Sequence, residues 1–239
     1  MSPECCWAVV PAAGRGSRMA NATPKQYLPL HGRTVLEHSV LALLQLPEIR
    51  SLVVALPAND DAARELPLMA DARVVVVTGG AERSDSVLAG LDGLVALGAE
   101  SDDWVLVHDA ARPCLGAKAL QRLLEQIASL DTGGAILAEP VADTVKQADA
   151  HGQVVATVDR SVLWRAQTPQ AFRLGELQDA LREASSQGWR VTDEASAMER
   201  RGYPVWLVAG DRSNLKITQP ADLELASFYL ASAGRNVEK

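Results

Sequence analysis

The chain has 239 residues, 48% of them hydrophobic and 22% charged, which is ordinary for a globular protein large enough to bury a core without disulfides. Its formal net charge of −7 argues against a protein that coats nucleic acid, because phosphate backbones are held by broad basic surfaces. No apolar run approaches the roughly 18 residues of a membrane span, and no basic segment precedes an apolar stretch at the N-terminus. The three cysteines form no CxxC pair, which suits a reducing compartment. We therefore expect a cytoplasmic protein with neither a nucleic-acid nor a membrane partner.

Short β-branched runs alternate with amphipathic helical patterns along most of the chain. The successive apolar residues of Val74–Val77 and Trp104–Val107 are typical of strands covered on both faces. This alternation predicts the α/β class, with a mostly parallel, helix-covered sheet, and residues 1–239 are interpreted as a single domain. Ligands of such a sheet gather at the carboxyl ends of its strands. The predicted strands are Trp7–Pro11, Ser51–Leu56, Arg73–Val77, Asp103–His108, Gly134–Ala138 and Val205–Val208.

Capping residues and a first-turn proline mark the predicted helix starts. Thr34 and Glu37 have the spacing of a capping box, in which each side chain bonds to the backbone N–H of the other residue. Ser84 or Asp85 is predicted to be the N-cap of a second helix. The last helix is predicted to begin at Pro220, because proline suits the first helical turn.

One stretch interrupts the strand–helix order. Residues 143–158 contain two β-branched runs around a turn at residues 149–152, and this pattern predicts a β-hairpin. We define residues 143–165 as a protruding arm. An isolated hairpin is too small to carry its own core, so we expect the arm to pack on a second copy of the chain in a homodimer.

The predicted first strand runs into a glycine-containing loop that carries several cations. Small residues let backbone N–H groups approach phosphate oxygens, and arginine binds phosphate bidentately. Lys25 follows Pro24 in a stretch whose prolines are expected to prevent a helix, so we place it on a shaped loop over the same phosphates. The loop residues are Ala12, Ala13, Gly14, Arg15, Gly16, Ser17 and Arg18.

Three interpretations of this loop compete. It does not match a dinucleotide-binding fingerprint, because Met19 stands where the third glycine is required and no acidic residue lies just after the next strand. It does not match a Walker A loop, because it lacks Gly-Lys-Ser/Thr. A plain glycine turn stays open, although it explains poorly why three cations crowd so tight a turn. The residues favour a phosphate site.

Asp109 closes the fourth predicted strand at its carboxyl end. A carboxylate there, facing a triphosphate, is well placed to hold Mg²⁺, which keeps few protein ligands and takes phosphate oxygens for the rest. Helix capping is the alternative role for such a residue. His108 is interpreted as structural, because no second histidine lies at metal-ligand spacing.

A series of motifs covers nearly the whole chain, beginning with Pro-Ala-Ala-Gly-x-Gly-x-Arg-Met and Pro-Lys-Gln-Tyr-Leu. The other motifs are Asp85–Gly90, Val107–Pro113, Thr157–Arg160, Thr168–Gln170, Thr192–Ser196 and Asn214–Ile217. In this order they resemble the sugar-phosphate nucleotidyltransferases, and more narrowly the 2-C-methyl-D-erythritol 4-phosphate cytidylyltransferase family of the non-mevalonate isoprenoid pathway.

The resemblance implies a Rossmann-like nucleotidyltransferase fold and a Mg²⁺-dependent homodimer, with another divalent cation as the alternative metal. It implies that CTP and methylerythritol phosphate react to give CDP-methylerythritol and pyrophosphate. The attacking sugar-phosphate oxygen is already ionised at neutral pH, so catalysis needs neither a protein nucleophile nor a general base.

The resemblance also implies roles for individual residues. Arg18 and Lys25 stabilise the transition state, and Arg160 and Lys216 complete the catalytic set. Asp109 holds the metal. The substrate-binding residues are Thr144, Arg160, Thr168, Thr192 and Lys216, and the nucleotide-binding residues are Ala12, Ala13, Gly14, Arg15, Gly16, Gly80, Ala81, Ser86 and Ala110.

Ala81 departs from the family pattern, which often has aspartate there, so any contact made by that side chain is missing and only backbone groups are left to recognise the base. A ribitol-phosphate cytidylyltransferase is the nearest alternative activity. A non-catalytic nucleotide sensor is the alternative from another class, and Arg18, Lys25 and Asp109 argue against it. An oxidoreductase is disfavoured by the missing dinucleotide fingerprint.

Overall fold

A computed structural model describes residues 3, 5–14 and 23–235. Its strands are β1 (Cys6–Pro11), β2 (Pro29–Leu30), β3 (Arg33–Thr34), β4 (Ile49–Leu56), β5 (Val74–Thr78), β6 (Trp104–Val107), β7 (Gly134–Pro140), β8 (Val145–Ala148), β9 (Val154–Val158), β10 (Trp164–Arg173) and β11 (Val205–Ala209). Its α-helices are α1 (Val35–Leu44), α2 (Asp61–Arg64), α3 (Arg83–Ala96), α4 (Ala117–Ile127), α5 (Leu174–Ser186), α6 (Glu194–Arg200) and α7 (Pro220–Arg235).

Seven of these strands form one sheet in the order β11-β7-β10-β6-β1-β4-β5. Strand β10 runs antiparallel to both of its neighbours, and the other paired strands are parallel. The predicted α/β fold with a mostly parallel sheet is confirmed. Because β1, β4, β5 and β6 point the same way, the segments that follow them meet at one edge of the sheet.

Helices cover both faces of the sheet. Ala8 and Val10 of β1 face a core shared with α1 and α4, whereas Trp7 and Val9 face a core shared with α3, α5 and α6. Gly90 lets α3 lie directly on β1, because a Cβ at this position would collide with the side chain of Val9. Helix α7 packs on a third cluster of buried residues beside the carboxyl edge.

The six predicted strands are confirmed, with ends that differ by one or two residues. Strand β10, in the middle of the sheet, was missed because its sequence is polar and contains Pro169. The pairing of β10 with β7 is interrupted between Ala166 and Gln170, so the proline lies where no ladder hydrogen bond is required. The prediction that Val74–Val77 is covered on both faces is confirmed, since Val74 and Val76 pack on one core and Val75 and Val77 on the other. As the edge strand, β5 is nevertheless only partly buried beyond Val74.

The capping box of α1 is confirmed, with the backbone N–H of Thr34 donating to Glu37 at 2.7 Å and that of Glu37 donating to the Thr34 hydroxyl at 3.2 Å. The predicted N-cap of α3 was wrong. The helix begins after Glu82, and Asp85 at the third helical position accepts the Glu82 N–H at 3.0 Å. Helix α7 begins at Pro220, as predicted.

The predicted hairpin is also confirmed. Strands β8 and β9 pair antiparallel, and the turn closes through a hydrogen bond of 2.9 Å from the backbone N–H of Asp149 to the carbonyl of Gln153. Gly152 adopts a φ of 84°, a conformation that suits glycine. The β9 valines Val154 and Val155 are 57% and 58% exposed. Within the described residues, no helix is both long and apolar enough to cross a membrane.

Candidate functional site

A cavity of about 440 Å³ lies at the carboxyl edge of the sheet, beyond β1, β5 and β6. The sequence analysis expected ligands at this edge. Ten residues predicted to bind nucleotide, phosphate or metal line this one cavity, namely Ala12, Ala13, Gly14, Lys25, Gly80, Ala81, Ser86, Asp109, Ala110 and Lys216. Arg15, Gly16 and Arg18, which were predicted to act with them, lie outside the described residues.

One wall of this cavity is built by close packing of two backbone segments. The Ala12 N–H donates to the carbonyl of Ala55 at 2.8 Å, which continues the β1–β4 ladder past the end of β1. A Cβ added at Gly79 would lie 2.6 Å from the Cβ of Ala13, so only glycine lets the two segments approach. The buried hydroxyl of Ser86 accepts the Gly80 N–H at 3.2 Å and donates to the carbonyl of Glu82 at 3.2 Å. This hydroxyl holds the turn that follows β5.

Lys25 lines the same cavity, in a segment that folds back onto the backbone after β1 through the contact of Gln26 with Ala12. The prediction that the prolines prevent a helix here was wrong, because Lys25–Tyr27 forms one turn of 3₁₀-helix directly after Pro24. Proline at the start of a turn is compatible with helical geometry, since its missing N–H is not needed there. The Lys25 ammonium donates to the carbonyl of Ile217 at 3.2 Å. Lys25 thus reaches the segment that carries Lys216.

Asp109 is a buried carboxylate surrounded by cations. Its Oδ1 lies 3.1 Å from Nε of Arg83, and its Oδ2 lies 2.9 Å from Nζ of Lys216 and 3.3 Å from Nε of Arg112. Burial acts to raise the pKa of Asp109, but Arg83, Lys216 and Arg112 outweigh it and hold the pKa well below its usual range. The carboxylate is therefore ionised at any physiological pH.

Arg83 also binds a second buried carboxylate. Its two terminal nitrogens lie 2.6 and 3.0 Å from the two oxygens of Glu194, the first residue of α6. Burial acts to lower the pKa of Arg83, and the charges of Glu194 and Asp109 raise it above the usual value. Such fork-shaped pairing fixes the guanidinium plane. Arg83 therefore links the start of α6 to Asp109.

Thr168 and His108 support Asp109 from behind. The Thr168 hydroxyl accepts the Asp109 N–H at 3.0 Å and lies 3.0 Å from Nδ1 of His108, whose Nε2 lies 3.1 Å from the carbonyl of Arg112. Because that carbonyl can only accept, Nε2 carries the proton and Nδ1 accepts from the Thr168 hydroxyl. Burial lowers the pKa of His108 to about 4, so the ring is neutral and structural, in agreement with the sequence interpretation. Buried Thr168 is not in the lining of this cavity.

A second cavity, of about 630 Å³, adjoins the first. Lys216 and Thr218 line both cavities, so one segment forms their common wall. Glu139, a buried carboxylate in the lining of the second cavity, pairs with Arg165 at 2.6 Å and with Arg212 at 2.9 Å. Arg112 also lines this second cavity. The cationic side chains that line the second cavity suit a ligand with a phosphate group.

Three predicted substrate residues lie elsewhere in the described chain. Arg160 follows the arm strands, and its guanidinium donates to the carbonyl of Ala142. Thr144 is exposed at the base of the arm, and exposed Thr192 precedes α6. None of these three lines either cavity of the described structure.

The model of the 2-C-methyl-D-erythritol 4-phosphate cytidylyltransferase family matches residues 6–232. The chain belongs to this family. It is therefore a nucleotidyltransferase. Curated family members from Ectopseudomonas mendocina and Vibrio vulnificus are 54% and 52% identical to it, over 91% and 94% of this chain and 92% and 94% of theirs.

Solved structures of similar proteins agree with this assignment. A 4-diphosphocytidyl-2C-methyl-D-erythritol synthase superposes with a TM-score of 0.81 at 40% identity, covering 95% of this chain and all of the other. The 2-C-methyl-D-erythritol 4-phosphate cytidylyltransferase of Francisella tularensis superposes with a TM-score of 0.80 at 37% identity, covering 94% of this chain and 99% of the other. The family fold, with its mostly parallel sheet and hairpin, is thus confirmed.

Sequence reasoning missed several residues that build the site. Arg83, Arg112 and Glu194 determine the surroundings of Asp109, yet they were given no role. Arg112 and Glu194 lie inside motifs that carried the family resemblance. The sequence could therefore have indicated Arg112 and Glu194 by their positions near Asp109 and Thr192 in those motifs. The ion pairs that these residues form depend on contacts across the fold, which the sequence does not show.

Proposed function

We propose that the chain joins CTP to 2-C-methyl-D-erythritol 4-phosphate, giving CDP-methylerythritol and pyrophosphate. The main support is that one cavity is lined by the Ala12–Gly14 backbone, Lys25, Asp109 and Lys216. The relatives of this chain are also named for this activity. A phosphate oxygen of the sugar alcohol attacks the α-phosphorus of CTP. The bond from that phosphorus to the oxygen bridging to the β-phosphorus breaks, and the electron pair leaves with pyrophosphate.

Cations stabilise the charge that develops in this step. Lys25 and Arg18 are proposed to act on the phosphate oxygens as the α-phosphorus becomes five-coordinate. The position of Lys25 in the cavity wall supports its role. Arg18 lies outside the described residues, so its role rests on the family motif alone. Backbone N–H groups at Gly80 and Ala81 are proposed to recognise the base, which requires no side chain at position 81.

Asp109 is proposed to hold Mg²⁺ or another divalent cation. The donor set fits a metal that takes most of its ligands from phosphate, because a permanently ionised carboxylate reaches the cavity wall. No cluster of three metal-ligating side chains exists among the described residues. When bound, the metal neutralises charge on the triphosphate. Lys216, which pairs with Asp109 and lines the same cavity, would be available to bind phosphate oxygens.

The sugar phosphate is proposed to bind in the second cavity, next to Lys216. This lysine lines both cavities, and Arg112 and Arg212 add positive charge around the second one. The two substrates would therefore meet across the segment 216–218. Thr168 supports the site through Asp109, and Thr192 remains a proposed substrate residue on the strength of the motif.

A homodimer formed through the arm is proposed to complete the site. The exposed arm valines Val154, Val155 and Val162 support a protein partner for this surface. Thr144 and Arg160 line neither described cavity of their own copy, which supports their delivery to the site of the other copy. Arg160 of the other copy would then face the sugar phosphate.

The test is pyrophosphate release, measured with CTP, UTP, ATP and GTP, with methylerythritol phosphate or ribitol 5-phosphate, and with or without Mg²⁺. We expect turnover only with CTP, methylerythritol phosphate and metal together. Faster turnover with ribitol 5-phosphate would replace the proposed substrate, and equal turnover with UTP or ATP would replace the proposed nucleotide. CTP binding without turnover on either sugar phosphate would favour a nucleotide sensor.

A further inference from the structure

Gln26 is a buried amide in the wall of the first cavity, one residue after Lys25. Its Nε2 donates to the carbonyl of Ala12 at 3.1 Å, and the carbonyl of Gly14 lies 3.5 Å from the same nitrogen, at the limit of a hydrogen bond. The side chain thus reaches back from the 3₁₀ turn to the backbone that follows β1. An amide buried in this way is costly to leave unpaired, so its geometry is well defined.

Two other contacts hold the same turn, and they lead in different directions. The Tyr27 hydroxyl donates to Asp60, which caps α2. The Lys25 ammonium donates to the carbonyl of Ile217, which lies between the lining residues Lys216 and Thr218. Of the three contacts, the one made by Gln26 joins the turn to the backbone of Ala12–Gly14. Gln26 therefore helps to set the distance between that backbone and Lys25.

We propose that Gln26 is a positioning residue, which holds the Lys25 ammonium at a fixed distance from the backbone segment Ala12–Gly14. The inference rests on the proposed function, in which both groups act on the triphosphate. Because Gln26 is adjacent to Lys25 in a single short turn, a shift of one displaces the other. Small misplacements of a catalytic group lower the rate steeply, by about 100-fold for roughly 1 Å.

The test is a double-mutant cycle on kcat in the pyrophosphate-release assay. Gln26→Met keeps the side-chain length and removes the donor, and we expect kcat to fall about 10-fold while KM for CTP changes less than about threefold. In a Lys25→Ala background, Gln26→Met should change kcat less than about twofold, because the group that it positions is gone. Gln26→Glu, which places an acceptor against the same carbonyls, should resemble Gln26→Met.

Tyr27→Phe is the comparison variant, since it removes the hydroxyl that bonds to Asp60 and interacts with the Gln26 side chain, while the Gln26 contacts with Ala12 and Gly14 are kept. We expect it to lower the melting temperature but to leave kcat within about twofold of wild type. Gln26 would be merely structural if the fold-losses in kcat of Gln26→Met and Lys25→Ala multiplied in the double mutant. The same would hold if Tyr27→Phe lowered kcat as much as Gln26→Met does. A wild-type chain that releases no pyrophosphate from CTP would instead overturn the proposed function, and this role with it.

Discussion

The ammonium of Lys216 lies 2.9 Å from Oδ2 of Asp109, so the residue proposed to bind the sugar phosphate is paired with the residue proposed to hold the metal. Arg112 and Arg83 approach the same carboxylate. In the proposed reaction, phosphate oxygens and a metal ion would compete for these partners. The ion pair therefore keeps both groups in place until the substrates arrive.

Replacing Asp109 by Asn should abolish metal-dependent turnover. The amide keeps the volume of the side chain but loses the charge that balances three cations, so we expect turnover to fall at least about 100-fold. The free energy of unfolding should fall by about 3 kcal/mol, because buried cations lose their partner. Pyrophosphate release and chemical denaturation measure the two effects. Asp92→Asn breaks an exposed pair with Arg182 and should cost less than about 1 kcal/mol with normal turnover. Mg²⁺-dependent turnover retained in Asp109→Asn would exclude its proposed role.

Replacing Lys25 by Ala should lower kcat by about 100- to 1,000-fold, since it removes a cation aimed at the developing charge. The melting temperature should change little, because the turn remains anchored by Gln26 and Tyr27. Lys118→Ala, on the exposed surface of α4, is the charge-matched control and should be fully active. Near-normal turnover in Lys25→Ala would remove this lysine from the catalytic set.

Asp222 should make stability depend on pH. Its carboxylate accepts the N–H groups of Thr218 at 2.8 Å and Gln219 at 2.9 Å, at the start of α7. Burial acts to raise the pKa of Asp222, but these hydrogen bonds and nearby Lys25 lower it below the usual value. A carboxyl whose folded pKa is depressed stabilises the fold above its unfolded pKa of about 3.9, and this contribution is lost as the pH falls through the folded pKa.

Asp222→Ala should therefore cost about 1 kcal/mol at pH 7, the usual effect of losing such a helix cap. The difference from wild type should shrink as the pH is lowered below about 4. Urea denaturation across this range measures both quantities. Glu224→Ala, an exposed carboxylate of the same helix, should show neither effect. A pH-independent cost for Asp222→Ala would contradict the ionic capping interpretation.

The arm should carry the dimer contact. Val155→Glu places a charge on an exposed valine of β9 and should shift the chain from dimer to monomer in analytical ultracentrifugation, with loss of turnover. Val95→Glu, at an exposed valine on α3, should change neither property. A fully active monomer, made by this substitution or by deletion of the arm, would disprove the shared site.

Arg160 should act in the site of the other copy. Arg160→Ala and Lys25→Ala should each be nearly inactive when assayed alone. A re-equilibrated equal mixture should regain up to about a quarter of wild-type activity, because half the dimers are mixed and each has one intact site. No recovery on mixing, despite exchange of subunits shown by mass, would place Arg160 in its own copy's site or outside catalysis.

The strands with continuous apolar runs were predictable, because burial of both sheet faces leaves a direct mark on the sequence. Strand β10 was not predictable from the sequence. Its residues Gln167, Thr168 and Gln170 are polar, and they are buried because each side chain hydrogen-bonds to a residue in another part of the chain. Gln170, for example, accepts the Ala195 N–H and donates to Asp193 across the fold. No local periodicity encodes such contacts.

The site was predictable in position but not in its electrostatics. Strand order and motifs indicated that Ala12–Gly14, Gly80 and Asp109 would meet at one edge. Arg83 pairs with Asp109, 26 residues along the chain, and with Glu194, 111 residues along, and neither pattern nor propensity reports these pairs. Arg160 is the opposite case, since its motif was recognised although its own copy brings it to neither described cavity.

Because β10 runs antiparallel to β7, the arm is an insertion that begins and ends at one edge of the sheet. Strand β7 leaves the sheet at the same edge where β10 re-enters it, so both ends of residues 143–165 are anchored there. Evolution can lengthen, shorten or replace the turn at residues 149–152 without disturbing the register of the core strands. Because the proposed dimer contact and Arg160 lie on the same arm, an arm exchanged between relatives should change both which chains assemble and how the shared site is completed, while the sheet stays unchanged.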